Sequence, residues 1–235
     1  MESFFQVDAF ANKPFAGNTA GVIITESEWS PEIMQKIARQ NGLPATAFVW
    51  YGKGVFNLRW FTAKKELTLC GHATLASAHV LFSEGIVPAG NKIHFKTAQA
   101  DLYAWYQNDW VTMDFPAYDC EPIEVPKEMK TVFGGKFKSG FFTQNKFLIE
   151  LENETAVRDF IPDPVVLNNH KCIITAGANA KSSYDFVSRF FDLPDGIPED
   201  AVTGFCSLQP GQFLFRTTGE KSSECFSGFF KRGVN

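Results

Sequence analysis

The chemistry this chain can offer concentrates at one turn, Cys70-Gly71-His72, and at one acidic loop, Pro198-Glu199-Asp200. Gly71-His72 follows a strand-like stretch and opens an apolar helical segment. Its backbone N–H groups would therefore project from the positive end of a helix dipole, an arrangement suited to a carboxylate. His72 is polar at the mouth of an apolar helix and titrates near neutrality, so it can orient a ligand or exchange a proton. Its residue type equally fits a histidine that only caps the helix by hydrogen bonding. Cys70 stands directly before the glycine. We read it as a small buried residue.

Metal and cofactor chemistry find no support in the spacing. His72, His79, His94 and His170 stand in no ligand spacing with carboxylates, and there is no nucleotide-binding loop, so neither metal nor organic cofactor is expected. The cysteines, Cys70, Cys120, Cys172, Cys206 and Cys225, are odd in number and lack a CxxC pair, which points to reduced thiols and a cytoplasmic setting. Lys and Arg number 22 against 26 Asp and Glu, a formal charge of -4 without a basic block, so neither nucleic acid nor a membrane surface is an expected partner.

The elements that must position these groups can be read from periodicity. Residues 4–10 and 20–25 read as strands separated by Asn12, Pro14 and Gly17-Asn18. Ser30-Pro31 starts a helix with an apolar stripe of Ile33, Met34, Ile37 and Ala38, ended by Asn41-Gly42. Strands follow at 46–51 and 55–62, then a helix over 71–83, then strands from 92 to 115 broken at Ala100-Asp101 and Asn108-Asp109. The segment 71–83 is small or apolar on nearly every side, which predicts a helix buried all round. The proline-rich stretch 116–127 reads as a linker, giving domains 1–117 and 118–235. In the second half we expect strands at 140–151 and 171–177 and a short helix near 154–160. Asn57-Leu58-Arg59-Trp60-Phe61 resembles Val187-Ser188-Arg189-Phe190-Phe191, and each leads through an acidic loop to a glycine, Gly71 and Gly204, the mark of an internal duplication.

Four ordered blocks, QVDAFANKPFAGNTAGVII, MQKIARQNGLPATAFVW, LRWFTAKKELTLCGHATLASAHVLF and YDFVSRFFDLPDGIPEDAVTG, resemble the PhzF-like family, relatives of diaminopimelate epimerase. The resemblance implies an α+β fold of two pseudo-symmetric diaminopimelate-epimerase-like domains. Each would be a curled, mostly antiparallel sheet around a central helix, with the site in the cleft between them. It implies a cofactor-independent isomerase or epimerase that moves a proton on a small carboxylate-bearing metabolite of a biosynthetic pathway. His72 and Asp200 take catalytic places; Asn18, Gly71, Thr74 and Gly204 take substrate-binding ones. Asp200 falls in a stretch resembling the family's E-D-P-V-T-G, although a solvated loop acid is its plain alternative. Asn18 also fits an Asx turn. Cys70 resembles the place of a catalytic thiol in diaminopimelate epimerases and proline racemases.

Two departures bear on activity. Where the family reads approximately N-L-S-E-T-A-F and its glutamate shuttles the proton, this chain has Gly42-Leu43-Pro44-Ala45-Thr46-Ala47-Phe48, so Ala45 stands at the glutamate's place. Glu66 and Asp200 are the candidate substitutes. Gly204-Phe205-Cys206 replaces the family's Gly-Ser-Ala-His, and the end at Lys231-Arg232-Gly233-Val234-Asn235 suggests a shortened second domain whose open surface a partner subunit would cover in a homodimer. The alternative function is a degenerate relative that binds a small acid or a protein without turnover.

Overall fold

The computed structural model describes residues 2–11, 17–115, 119–180, 182 and 186–200, with the backbone of 230–231. The chain divides into two compact units, Met1–Pro116 with Cys225–Asn235, and Ala117–Glu224.

The first unit is built on one sheet. Its strands are β1 (Ser3–Ala9), β2 (Asn18–Thr25), β3 (Ala45–Gly52), β4 (Val55–Phe61), β5 (Glu66–Leu67), β6 (Lys92–Lys96), β7 (Asp101–Gln107) and β8 (Trp110–Asp114). They run in the order β1-β2-β3-β4-β6-β7-β8, with β5 hydrogen-bonded to β4. Two junctions are parallel, β2 with β3 and β4 with β6, and the rest are antiparallel. A parallel junction needs a crossover, and each here carries a helix. Helix α1 (Pro31–Asn41) links β2 to β3, and α2 (Gly71–Ser83) links β5 to β6.

The two helices cover opposite faces. Met34 and Ala38 of α1 pack with Ile23, Phe48 and Phe61, flanked by Trp29, Ile37 and Trp50. Phe48 and Phe61 meet edge to face at 5.6 Å. Because side chains alternate along a strand, Ala20, Val22, Ala45, Ala47, Val49 and Trp60 point the other way, and all are buried. Helix α2 lies against β1, β2 and β3 and also against β7 and β8, so the sheet curls around it. Nine of its 13 residues are buried, as a helix without a polar face requires.

The second unit repeats the plan. Its elements are β9 (Glu121–Pro122), α3 (Lys127–Val132), β10 (Phe137–Thr143), β11 (Lys146–Leu151), α4 (Glu154–Arg158), α5 (Pro164–Leu167), β12 (Cys172–Gly177), β13 (Phe186–Asp192) and β14 (Ile197–Asp200). The sheet order is β14-β13-β12-β11-β10-β9, with β11 and β12 parallel and helices in their crossover, as for β2 and β3. Val125, Met129, Val157, Leu167, Ile174 and Phe191 form its core.

The duplicated strands carry the same clamp. Arg59 donates from Nε and Nη2 to Glu66 at 2.7 and 2.8 Å, and Arg189 does so to Glu199 at 2.7 and 2.8 Å. Each guanidinium also lies over the phenylalanine two residues on, Phe61 at 5.5 Å and Phe191 at 5.0 Å.

Three readings of the sequence need correction. The stretch read as one strand over 140–151 is a hairpin, β10 and β11, turned at Gln144 and Asn145 with φ of 44° and 60°. Much of the stretch read as a linker is structure: β9 pairs with β10, and Val125 is buried in the second core. The second domain was expected to run to 235, yet β15 (Phe230–Lys231) pairs with β8 at Val111 and Trp110. Gly204, Phe205 and Cys206, with the expected second central helix, lie outside the described residues.

Phe48, with no exposed surface, joins α1 to the face of the sheet opposite α2. Phe48→Ala is expected to lower stability by about 3–5 kcal/mol, read as a shifted denaturant midpoint at unchanged slope.

Candidate functional site

Two helix starts in the first unit differ in how they are closed. Ser30 caps α1, its hydroxyl accepting from the Ile33 N–H at 3.4 Å. Cys70, at the same place before α2, is extended (φ -146°, ψ 102°) and makes no side-chain cap. The first N–H groups of α2 are therefore not tied by the residue at the cap position, and they remain suited to an anion. Gly71 is the first residue of the helix, where the absence of a side chain leaves these groups accessible.

His72 follows and is 7% exposed. Burial alone pulls its imidazolium down to a pKa of about 4, so the ring is neutral at physiological pH. Among the described residues its hydrogen-bonding neighbour is the Cys70 thiol, with Sγ 3.6 Å from Nδ1 and 3.9 Å from Nε2. The ring does not cap α2 through a backbone contact. Thr74 is buried and donates its hydroxyl hydrogen to the Cys70 carbonyl at 2.6 Å. That bond fixes the turn, leaving only the oxygen's acceptor capacity for a ligand.

Asn18 begins β2, is buried, and shares a sheet face with Ala20 by strand alternation. Ala20 pairs with Ala45 at the first rung of the parallel junction, so Asn18 and Ala45 stand on the face that α2 covers. Ala45 has no exposed surface. The structure thus holds all five residues in one unit, Gly71, His72 and Thr74 in the first turn of α2 and Asn18 and Ala45 on the sheet face that α2 covers. Asp200 closes β14 in the other unit, half-buried and paired with Phe190, and Gly204 lies outside the described residues.

Glu66 is not the replacement base that the sequence left open. Both of its oxygens hold the Arg59 guanidinium. That guanidinium lies over Phe61, whose ring faces α1, away from α2. Sequence reasoning also missed Trp60. It is 2% exposed on the α2 side of the sheet, and its indole N–H lacks a partner among the described residues. Its neighbours Arg59 and Phe61 carried the repeat pattern, and the alternation that puts Trp60 opposite to them was the available signal. No cluster of three His, Cys, Asp or Glu that could hold a metal occurs among the described residues. No described helix is long and apolar enough to cross a membrane.

A sheet curled around an apolar helix, followed by a second mixed sheet of matching strand plan, defines the diaminopimelate-epimerase-like fold of the α+β class. Residues 7–225 match the family model for phenazine biosynthesis-like proteins, PhzC-PhzF, and the chain belongs to that family. It is 39% identical over 212 residues to an uncharacterized isomerase of Pseudomonas aeruginosa, covering 88% of this chain and 80% of that one. Among solved structures, a PhzF-family phenazine biosynthesis protein of Enterococcus faecalis superposes with a TM-score of 0.83 at 32% identity, over 92% of this chain and 83% of the other. A PhzC/PhzF protein of Clostridium difficile gives 0.79 at 36%, over 94% and 84%.

The buried neutral His72 has a consequence for stability. Its folded pKa lies below that of an unfolded histidine, so between those two values the unfolded chain binds more protons. Stability is full above pH 6.5 and is lost as pH falls towards 4, by about 3 kcal/mol from this residue. Chemical denaturation at pH 7 and pH 4 is expected to show that loss in the native protein and a correspondingly smaller one in His72→Gln.

Proposed function

We propose that this protein is an isomerase of the PhzF type that binds a small carboxylate-bearing metabolite at the first turn of α2 and moves a proton on it with His72. The observation that carries this reading is His72 itself: a buried imidazole, neutral at working pH, at the start of a helix whose N–H groups no cap residue occupies. The turn's N–H groups would hold the carboxylate and lower the energy of negative charge developing on the adjacent carbon. The imidazole takes a proton from that carbon and returns one to another atom of the same molecule, so no electrons are gained or lost. Asn18 would orient the substrate from β2. By resemblance to the family motif, Asp200 would take a catalytic role and Gly204 a substrate-binding one. The reading takes the substrate from a biosynthetic pathway in the cytoplasm and the working assembly as a homodimer. The isomerase names of similar bacterial proteins support the reaction class.

Ala45 favours a second reading, binding without turnover. A methyl group carries no proton, and it stands where the family resemblance places the shuttling glutamate.

Proton exchange into small carboxylic acids in deuterium oxide, followed by NMR, separates the two. The native protein is expected to label an acid at the carbon next to its carboxylate, and His72→Gln to slow labelling by about 10²–10⁴-fold. Saturable binding of such acids by calorimetry with no labelling in any of them would overturn the isomerase reading in favour of binding.

A further inference from the structure

The strands that lead into the two site segments are thinly paired. Among the described residues β5 meets β4 at two rungs, Trp60–Leu67 and Phe61–Glu66, and β14 meets β13 at two, Phe190–Asp200 and Asp192–Ile197. The last strand before the Cys70-Gly71-His72 turn is β5, and Asp200 itself ends β14. Each of these short strands carries the glutamate of a clamp. Glu66 accepts from Arg59 with both oxygens, and Glu199 from Arg189, each at 2.7 and 2.8 Å. Each guanidinium is also held elsewhere: Arg59 donates to Glu28 at 3.0 Å, and Arg189 to the Val157 and Phe160 carbonyls at 3.1 and 2.6 Å. A planar fork anchored in this way sets both the distance and the direction of the carboxylate it grips. The clamps lie across the sheet from the site groups. Glu66 pairs with Phe61 on the face that α1 covers, whereas Trp60 and Leu67 take the α2 side. Glu199 and Asp200 are neighbours in a strand and so point to opposite faces. Both glutamates are over a third exposed, at 37% and 39%, and exposed ion pairs add little to stability. The spacing is shared as well: five residues separate Glu66 from Gly71 (66 to 71) and Glu199 from Gly204 (199 to 204). Between them stand Leu67-Thr68-Leu69-Cys70 and Asp200-Ala201-Val202-Thr203, with no identity at any position. The two halves share the clamp and its distance from the glycine where the side chains between differ throughout.

We propose that Glu66 and Glu199 are positioning residues of the candidate site, each pinning a two-rung strand through its arginine, so that Glu66 fixes the Cys70-Gly71-His72 turn and Glu199 fixes Asp200. This rests on the isomerase reading above for the use made of the turn and of Asp200. Neither glutamate takes or gives a proton, and neither meets the ligand. A misplacement of about 1 Å at a reacting group can cost about 10²-fold in rate. A clamp that adds little to stability therefore decides turnover. Glu66, which the sequence left open as a replacement base, serves the site from the opposite face of the sheet.

Amide hydrogen exchange, histidine titration by NMR and the labelling assay test this on the full chain. In Glu66→Gln, exchange at Gly71 and His72 is expected to quicken about tenfold or more while Asp200 keeps its native rate, and in Glu199→Gln the pattern reverses. His72 titrates near 4 in the native protein, and in Glu66→Gln its midpoint is expected to rise by about one unit or more towards 6.5 as water reaches the ring. Glu124→Gln, which breaks the exposed Lys130–Glu124 pair, is expected to change neither readout. Where the native protein labels an acid, Glu66→Gln is expected to raise KM and lower kcat, because the turn both binds and reacts. Glu199→Gln is expected to lower kcat about tenfold with KM nearly unchanged. Should Glu66→Gln not fold, Arg59→Lys takes its place, since an ammonium cannot fork. Native exchange with a native His72 midpoint in the folded variant would overturn the proposal. So would exchange that quickens equally at both segments in either variant, or native kcat and KM in both. A native protein that labels no acid sinks the isomerase reading, and exchange with the titration then decides the clamps alone.

Discussion

An apolar helix cannot satisfy itself in water, and most of this first unit follows from hiding α2. Its buried residues run around the whole circumference, from Ala73 and Leu75 to Val80 and Leu81, so one flat sheet face would not suffice. The sheet curls until β1 to β3 lie on one side and β7 and β8 on another. Once α2 is enclosed, only its ends can meet a ligand. The C-terminal end is spent on local bonds, with Glu84 and Gly85 N–H groups donating to Val80 and Phe82 carbonyls and Val87 to Leu81. The N-terminal end receives no such closure from Cys70, and there the polar groups collect.

The same enclosure sets the electrostatics. A histidine in water holds its proton to near-neutral pH, but His72 is buried, and the loss of water disfavours the charged ring. Neutral imidazole is a hydrogen-bond donor and acceptor at once. Burial therefore leaves an uncharged ring at the start of α2. On the outer faces the opposite holds. The Arg59 and Arg189 guanidinium groups, charged in any case, are held by the hydrogen bonds they donate to Glu66 and Glu199, and they tie β4 to β5 and β13 to β14.

Elements with a strong period were legible in the sequence. The absence of a polar face gave α2 its bounds, and the Ser30-Pro31 start with the Asn41-Gly42 stop gave α1. The β10–β11 turn was hidden because Gln144 and Asn145 adopt positive φ without a glycine to announce it. Prolines 122 and 126 suggested a linker, yet Pro122 sits in a two-residue strand and Pro126 caps α3. In the site, the Gly71-His72 turn could be found because a strand running into an apolar helix leaves one place for polar groups. The Cys70–His72 contact could not, since residues two apart on a helix do not face each other; the extended Cys70 backbone creates the contact.

The topology also dictates an order of events in folding. Helix α2 is itself the connection between β5 and β6, and β6 pairs in parallel with β4 at Phe56–Phe95 and Asn57–Lys96. The chain cannot close that junction until it has traversed α2 and returned, a long loop whose entropy must be lost before the pairing contributes. The half-sheet β1 to β4 can assemble from nearer neighbours, but β7 and β8 cannot join the sheet through β6 before the helix is in place. The Cys70-Gly71-His72 turn opens the helix inside that loop, so its surroundings depend on a closure between residues far apart in the chain.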